Sequence, residues 1–258
     1  MVMTAKLTNK VAIVTGAASG MGKAIAEAYA REGARLVLAD INAESLAQVV
    51  DEITQGGGTA TSIVTNMAQE ADVEAMIKQA TTTYGQLDIL VNNAGIMDNF
   101  KAVGNVTDEL WQRVLAINLT GPFMASRAAI RVMEDQETGG VIINNASVGG
   151  LFGARGGAAY AASKHGLVGL TKNIAATYGT FGNIRANAIA PGGVATNIGN
   201  SITDPDPLGG QAIAATGSQT APMGQPEQIA NVAVFLASDD SSFVNGDVIK
   251  ADGGWTAR

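Results

Sequence analysis

The chain has 258 residues, 47% hydrophobic and only 15% charged, a balance that suits one substantial buried core and excludes a disordered chain. A formal net charge of −7 with no basic stripe argues against nucleic-acid binding, which rests on Lys and Arg contacts to phosphate. Zero cysteines remove disulfides and thiolate ligands, and a lone histidine leaves no ordinary zinc site, so no metal is expected.

Met1 to Lys10 lacks the apolar core of a signal peptide, and no apolar run reaches the ~20 residues that span a membrane, so a soluble, cytoplasmic protein is expected. Short, nearly unbroken apolar runs then recur at Val11–Thr15, Arg35–Ala39, Thr61–Thr65, Asp88–Asn92, Val141–Asn145 and Ile184–Ala190. Each suits a strand buried on both faces. Between them, Gly22–Arg31, Ala43–Thr54, Glu70–Tyr84 and Asp108–Met133 carry helical periodicity. The alternation predicts an α/β fold: a single doubly wound Rossmann-type domain over residues 1–258, its central parallel sheet flanked by helices on both faces. Ligands in such sheets sit beyond the carboxyl ends of the strands. The stretch from about 192 to 226, with Pro205, Pro207, Pro222 and Pro226, breaks the pattern. It reads as a substrate lid or a mobile surface loop.

After the first strand comes Thr15-Gly-Ala-Ala-Ser-Gly-Met-Gly22, leading into a helix. Glycines 16, 20 and 22 let backbone approach a pyrophosphate, and the helix start offers it free N–H groups. Asp40 ends the second strand, where a carboxylate can accept hydrogen bonds from an adenosine ribose and repel a 2′-phosphate. Ile41 and Asn42 follow, and Ala17 stands in the loop, so no cation adjoins it. NAD(H) is favoured over NADP(H); Asp40 could also cap the next helix. Asn92-Asn-Ala-Gly95 follows the fourth strand, its amides suited to pinning neighbouring loops and Gly95 leaving space beside a cofactor.

Tyr160 and Lys164 lie four apart with Ala-Ala-Ser between them. On a helix they share a face, which could be a surface pair or a phenol and an ammonium addressing one pocket. Ser147 follows the fifth strand, where this fold places ligand-facing residues. His165 points some 100° away from Lys164 and reads as structural.

Taken together, Thr15–Gly22, Asp40, Asn92–Gly95, Asn118, Ser147, Tyr160, Lys164 and Pro191-Gly-Gly-Val-Ala-Thr196 resemble, in order and spacing, the short-chain dehydrogenase/reductase family. The resemblance implies an enzyme passing hydride between a nicotinamide and a carbonyl/alcohol carbon. Tyr160 would be the general acid/base, Ser147 would hold the substrate oxygen, and Lys164 would hold ribose hydroxyls and lower the Tyr160 pKa. Asn118 would hold a relay water, or else merely bend its helix. Gly16, Ser19, Gly20, Met21, Gly22, Asp40, Asn66, Met67, Asn93, Ala94, Gly95, Pro191, Gly192, Val194 and Thr196 would join Tyr160 and Lys164 around the cofactor. Two positions depart from the family: Asn66 stands where aspartate is frequent, and Met21 where isoleucine is.

Substrate-facing surface is expected from Ile96 to Asn99, Val148 to Gly153 and the insert, with Ile96, Met97, Val148, Leu151 and Phe152 favouring a small neutral ketone or secondary alcohol. The alternatives are a 3-oxoacyl-thioester (acyl carrier protein) reductase and a non-catalytic nucleotide sensor. Phe243–Trp255 resembles the family's last strand, a common subunit contact, which implies a homotetramer.

Overall fold

The computed structural model describes residues 5–181 and 183–257, so Met1–Thr4 of the N-terminal stretch lies outside it. The apolar runs form seven strands: β1 (Val11–Thr15), β2 (Arg35–Asp40), β3 (Thr59–Val64), β4 (Ile89–Asn92), β5 (Gly140–Asn145), β6 (Ile184–Pro191) and β7 (Val248–Ala251). All pair in parallel, in the order β3-β2-β1-β4-β5-β6-β7. β3 starts two residues before the apolar run expected for it, because Thr59 already pairs with Arg35 on this partly exposed edge strand.

Helices α1 (Gly20–Arg31), α2 (Ala43–Gln55), α3 (Glu70–Tyr84), α4 (Asp108–Leu115), α5 (Gly121–Glu134), α6 (Ala158–Phe181), α7 (Pro207–Ala214) and α8 (Pro226–Ala237) complete the chain. Alternate strand residues feed opposite layers. Ala12, Val14, Leu36 and Leu38 pack with Ile25 and Tyr29 of α1 and Ile229 of α8, while Val11, Ile13 and Val37 meet Met76 of α3 and Met133 of α5. Each fully buried large side chain contributes roughly 1.5–3 kcal/mol.

Asp108–Met133, expected as one helix, is interrupted by a wide π-type turn at Ala116–Thr120 that joins α4 to α5. Pro122 has no N–H for the regular bond to the carbonyl four residues back, that of Asn118, and the backbone widens there. The 192–226 insert folds as a 3₁₀ turn at Asn197–Ser201, α7 and a second 3₁₀ turn at Ser218–Thr220. It docks on the loop after β4, where Asn99 O accepts the Asp206 N–H at 2.8 Å and Lys101 Nζ meets Asp204 Oδ2 at 2.8 Å. Among the described residues, no helix is long and apolar enough to cross a membrane.

Candidate active site

Strand order reverses between β1 and β4, and a cleft opens there beyond the carboxyl ends of the strands. Of the expected cofactor residues, Gly16, Ser19, Gly20, Met21, Asp40, Asn66, Met67, Asn93, Ala94, Gly95 and Thr196 line it. Gly16 and Gly20 hold left-handed backbone at φ +65° and +54°. A Cβ on Gly22 would stand 2.0 Å from the Gly16 carbonyl oxygen, so its role is to let α1 pack on the exit from β1. Ser19 occupies the N-cap of α1, but its side chain caps no amide and the first turn holds no carboxylate. Its free N–H groups and positive helix end therefore suit an anion.

Asp40 is anchored by two backbone donors, Ala18 N–H to Oδ2 at 3.0 Å and Asn42 N–H to Oδ1 at 2.9 Å. The cap of α2 is Asn42, whose Oδ1 accepts the Ser45 N–H at 3.0 Å, so Asp40 does not serve as that cap. No lysine or arginine lines the cleft among the described residues. A dinucleotide fits this donor set: uncapped amides for its phosphates, a carboxylate for its ribose. Asn66 Oδ1 already accepts the Ala68 N–H at 3.0 Å.

Asparagines tie the site together. Asn93 Nδ2 donates to Thr15 O at 2.8 Å and Asn145 Nδ2 to Asn93 Oδ1 at 2.8 Å, while Asn92 Nδ2 reaches Asn144 Oδ1 at 2.8 Å. Asn144 and Asn145 went unassigned from sequence; two amides closing an otherwise apolar strand were the available signal.

Ser147 follows β5, its Oγ accepting the Gly149 N–H at 2.9 Å, and it lies beside the Tyr160 ring: a Cβ on Gly149 would stand 3.3 Å from Tyr160 Cε1 and 3.4 Å from Ser147 Oγ. Tyr160 and Lys164 are one turn apart on α6 and both buried. Lys164 Nζ donates to Asn145 O at 2.8 Å and lies 5.7 Å from the Tyr160 ring centre. A Cβ on Gly95 would be 3.6 Å from that Nζ and 3.3 Å from Asn118 Oδ1, so the ammonium sits behind Gly95, which lines the cleft, while Lys164, Tyr160, Ser147 and Asn118 do not line it themselves. Burial raises the Tyr160 phenol above its ordinary value; the neighbouring Ser147 side chain opposes this and the charge of Asp98 adds to it. The expected lowering by Lys164 is thus not the governing effect in the protein alone. Burial pushes Lys164 itself down to about 8.

Asn118 sits in the π-type turn and clamps Ile96, donating from Nδ2 to Ile96 O and accepting the Ile96 N–H at Oδ1, both at 2.9 Å. Its side-chain amide is thereby committed to the loop after β4. Pro191, Gly192 and Val194 do not line the cleft. Pro191 pairs with Ala251, Gly192 packs against Asp252, and Val194 bridges Gly224; together they carry Thr196 to the cleft opposite Gly20. His165 is exposed, its Nδ1 2.9 Å from Ala161 O.

The substrate side differs from expectation. Asp98 and Val148 are buried, and Leu151 packs on the cluster around Leu167. Apolar wall comes from Ile96 and from Ile198 in the insert, both within the expected stretches, and from Ile117, which was not expected and sits in a π-type turn that periodicity does not flag.

A parallel sheet with an anion-ready helix end at its switch point, and a tyrosine, a serine and a lysine buried together beside it, fit a nucleotide-dependent oxidoreductase. Residues 16–256 match a protein family described as enoyl-(acyl carrier protein) reductase. The chain is 44% identical to 3beta-hydroxysteroid dehydrogenase 2 of Eggerthella lenta, covering 97% of this chain and 96% of that one. It is 37% identical to cyclohexanol dehydrogenase of Acinetobacter sp. strain SE19, covering 100% and 99%. The crystal structure of a putative NAD(P)-dependent gluconate 5-dehydrogenase from Beutenbergia cavernae, with bound NADP at low occupancy, superposes with a TM-score of 0.86 at 36% identity, covering 99% and 100% of the two chains. The chain belongs to the short-chain dehydrogenase/reductase family and is an oxidoreductase of CH–OH/C=O groups.

Proposed function

We propose that the protein is an NAD(H)-dependent dehydrogenase/reductase of neutral alicyclic secondary alcohols and their ketones, with Tyr160 as the proton-transfer group. The observation that carries this reading is that Tyr160, Ser147 and Lys164 are buried together directly behind Gly95, with a Cβ on Gly149 standing 3.3 Å from Tyr160 Cε1 and 3.4 Å from Ser147 Oγ, and one on Gly95 3.6 Å from Lys164 Nζ. The nicotinamide supplies the hydride acceptor or donor. In alcohol oxidation, Ser147 holds the hydroxyl oxygen and Tyr160 takes its proton; in ketone reduction the proton returns to that oxygen. Lys164, charged at neutral pH, orients ribose hydroxyls and favours the phenolate. Asn118 holds Ile96 so that the wall beside Gly95 stays in place. Ser147 and Lys164 would be joined, when the oxidised cofactor is held beside them, by its positive ring in offsetting the burial that raises the phenol.

Asp40 in the cleft and the lack of a lining cation support NAD(H) over NADP(H). Two cyclic-alcohol enzymes among the relatives, and the walls of Ile96, Ile117 and Ile198, support the substrate class. A symmetric homotetramer is also proposed: β7 is an unpaired sheet edge, and Phe243 before it and Phe181 at the end of α6 are exposed.

The test is a panel of cyclohexanol, a 3β-hydroxysteroid, their ketones and an acetoacetyl thioester, read by NADH absorbance. Turnover of a cyclic alcohol or its ketone is expected, with Tyr160→Phe losing about 10²- to 10⁴-fold in kcat. Full activity in Tyr160→Phe would refute the proton-transfer role; a preference for the thioester would select the carrier-protein reductase instead.

A further inference from the structure

Helix α6 begins without a cap of its own. Arg155-Gly156-Gly157 before it offers no Ser, Thr, Asp or Asn to its first amides, which a helix start must otherwise satisfy. The partners come from the loop after β4, some 60 residues earlier. Asp98 is fully buried there. Its Oδ1 accepts the N–H of Gly157 at 3.0 Å and of Phe100 at 3.2 Å, and its Oδ2 accepts the N–H of Tyr160 itself at 2.9 Å. Lys101 O accepts the Ala158 N–H at 2.9 Å beside them. The seat is tight, since a Cβ on Gly157 would lie 2.5 Å from both carboxylate oxygens.

The turn that aims Asp98 is gripped from its other side. Asn99 and Phe100 both have left-handed backbone, at φ +57° and +56°, which non-glycine residues rarely adopt. The insert holds them there: Asn99 Oδ1 accepts the Thr203 N–H and Asn99 O the Asp206 N–H, both at 2.8 Å.

We propose that Asp98 is a positioning residue for catalysis, setting the backbone of Tyr160, and with it the phenol against Ser147, from a loop that the insert holds in place. The proposal rests on Tyr160 being the proton-transfer group. The charged groups about Tyr160 are Asp98, from the loop after β4, and Lys164 on α6 itself. The loop after β5 brings the uncharged Ser147, and its Arg155 lies over the Trp255 ring at 4.5 Å. Removing the Asp98 charge should therefore ease ionisation of the phenol, to which that charge is opposed.

The test compares Asp98→Asn with wild type and Tyr160→Phe, using NAD and the alcohol turned over in the panel. Asparagine keeps the shape but turns one acceptor into a donor facing an N–H. Expected are a kcat about 10- to 100-fold lower, an acid limb of the kcat–pH profile moved toward acid, and an NADH Kd within about 2-fold, since Asp98 does not line the cleft. An unchanged kcat and pH profile with only a lower Tm would overturn the proposal and leave a simple helix cap. Asp98→Ser, which keeps one acceptor, is read the same way should Asp98→Asn not fold. Failure of both to fold would also overturn it, marking Asp98 as a requirement of the fold. Activity in Tyr160→Phe sinks the proton-transfer reading; an inactive Tyr160→Phe with an unaffected Asp98 variant sinks only the Asp98 proposal.

Discussion

Replacing Asp40 by alanine should reverse the balance between the two nicotinamide cofactors. Asp40 lines the cleft at the end of β2, fixed by the Ala18 and Asn42 amides, with no lysine or arginine lining the cleft among the described residues. Hydrogen bonds from ribose hydroxyls to a carboxylate are worth about 1.5–3 kcal/mol. Their loss should weaken NADH by roughly 10- to 150-fold, at about 1.4 kcal/mol per factor of ten. A 2′-phosphate at about 4 Å from the same carboxylate is repelled by about 1 kcal/mol in water and about 4 at an effective dielectric of 20. Asp40 is partly exposed, so about 1–2 kcal/mol is the fitting range. Together these shift the NADH/NADPH ratio of kcat/KM by on the order of 10²- to 10³-fold. The freed Ala18 and Asn42 amides affect both cofactors alike and cancel in that ratio. Asp40→Asn separates charge from hydrogen bonding: it should gain NADPH nearly as well as alanine while keeping part of the NADH affinity. Initial rates with each cofactor, and Kd from quenching of protein fluorescence, measure both. A ratio within about 3-fold of wild type in both variants would refute the placement of Asp40 against the ribose.

Lys164→Met should cost activity yet not stability near neutral pH. The buried ammonium falls from 10.5 to about 8, which amounts to about 3 kcal/mol against the folded state while both states are charged, below pH 8. The penalty is relieved as pH rises from about 8 to 10.5, because the unfolded chain then holds more protons. Losing the bond to Asn145 O returns about 1–3 kcal/mol of that gain. Thermal unfolding should place the variant at or above wild type at pH 7, with its relative stability declining above pH 8; a difference flat in pH would contradict the buried-charge account. Asp206→Ala should undock the insert. Asp206 Oδ2 accepts from Asn105 Nδ2 at 2.8 Å and Ala102 N–H at 3.1 Å, and Oδ1 from Leu208 N–H at 2.9 Å at the start of α7. The Asn105 hydrogen bond, then that of Ala102, brings its carboxyl down to about 2, so this latch is complete above the ordinary carboxylate range and lost as pH falls through about 2. Faster proteolysis within 192–226 and a raised KM for the alcohol are expected, with NADH Kd little changed; unaltered cleavage and KM would refute the latch.

Much of the cofactor cleft was readable because its signals are local. Glycine spacing after β1, a carboxylate ending β2 and Asn-Asn-Ala-Gly after β4 each occupy a few consecutive residues, and parallel topology brings all strand ends to one edge. The reactive end was legible only as residue types. Tyr160 and Lys164 share a helix face by spacing, but whether burial raises a phenol more than its neighbours lower it depends on what encloses it. Val148 and Leu151, apolar in a loop beside the site, could face substrate or core, and the packing around Leu167 turned Leu151 inward.

Short unbroken apolar runs alternating with period-3.6 segments, with glycines where backbone must approach an anion, determined by themselves the doubly wound sheet and the place of its cleft, because each signal lies within one element or the turn that follows it. Tertiary structure alone decided which polar groups would be enclosed and by whom. Asp98 lies 62 positions from Tyr160 and Asn118 22 from Ile96, yet each is joined to its partner by hydrogen bonds, Asp98 within the buried interior. No local pattern encodes those pairings; they exist because packing removes water from buried amides and carboxylates, which must then find partners wherever the fold has brought them.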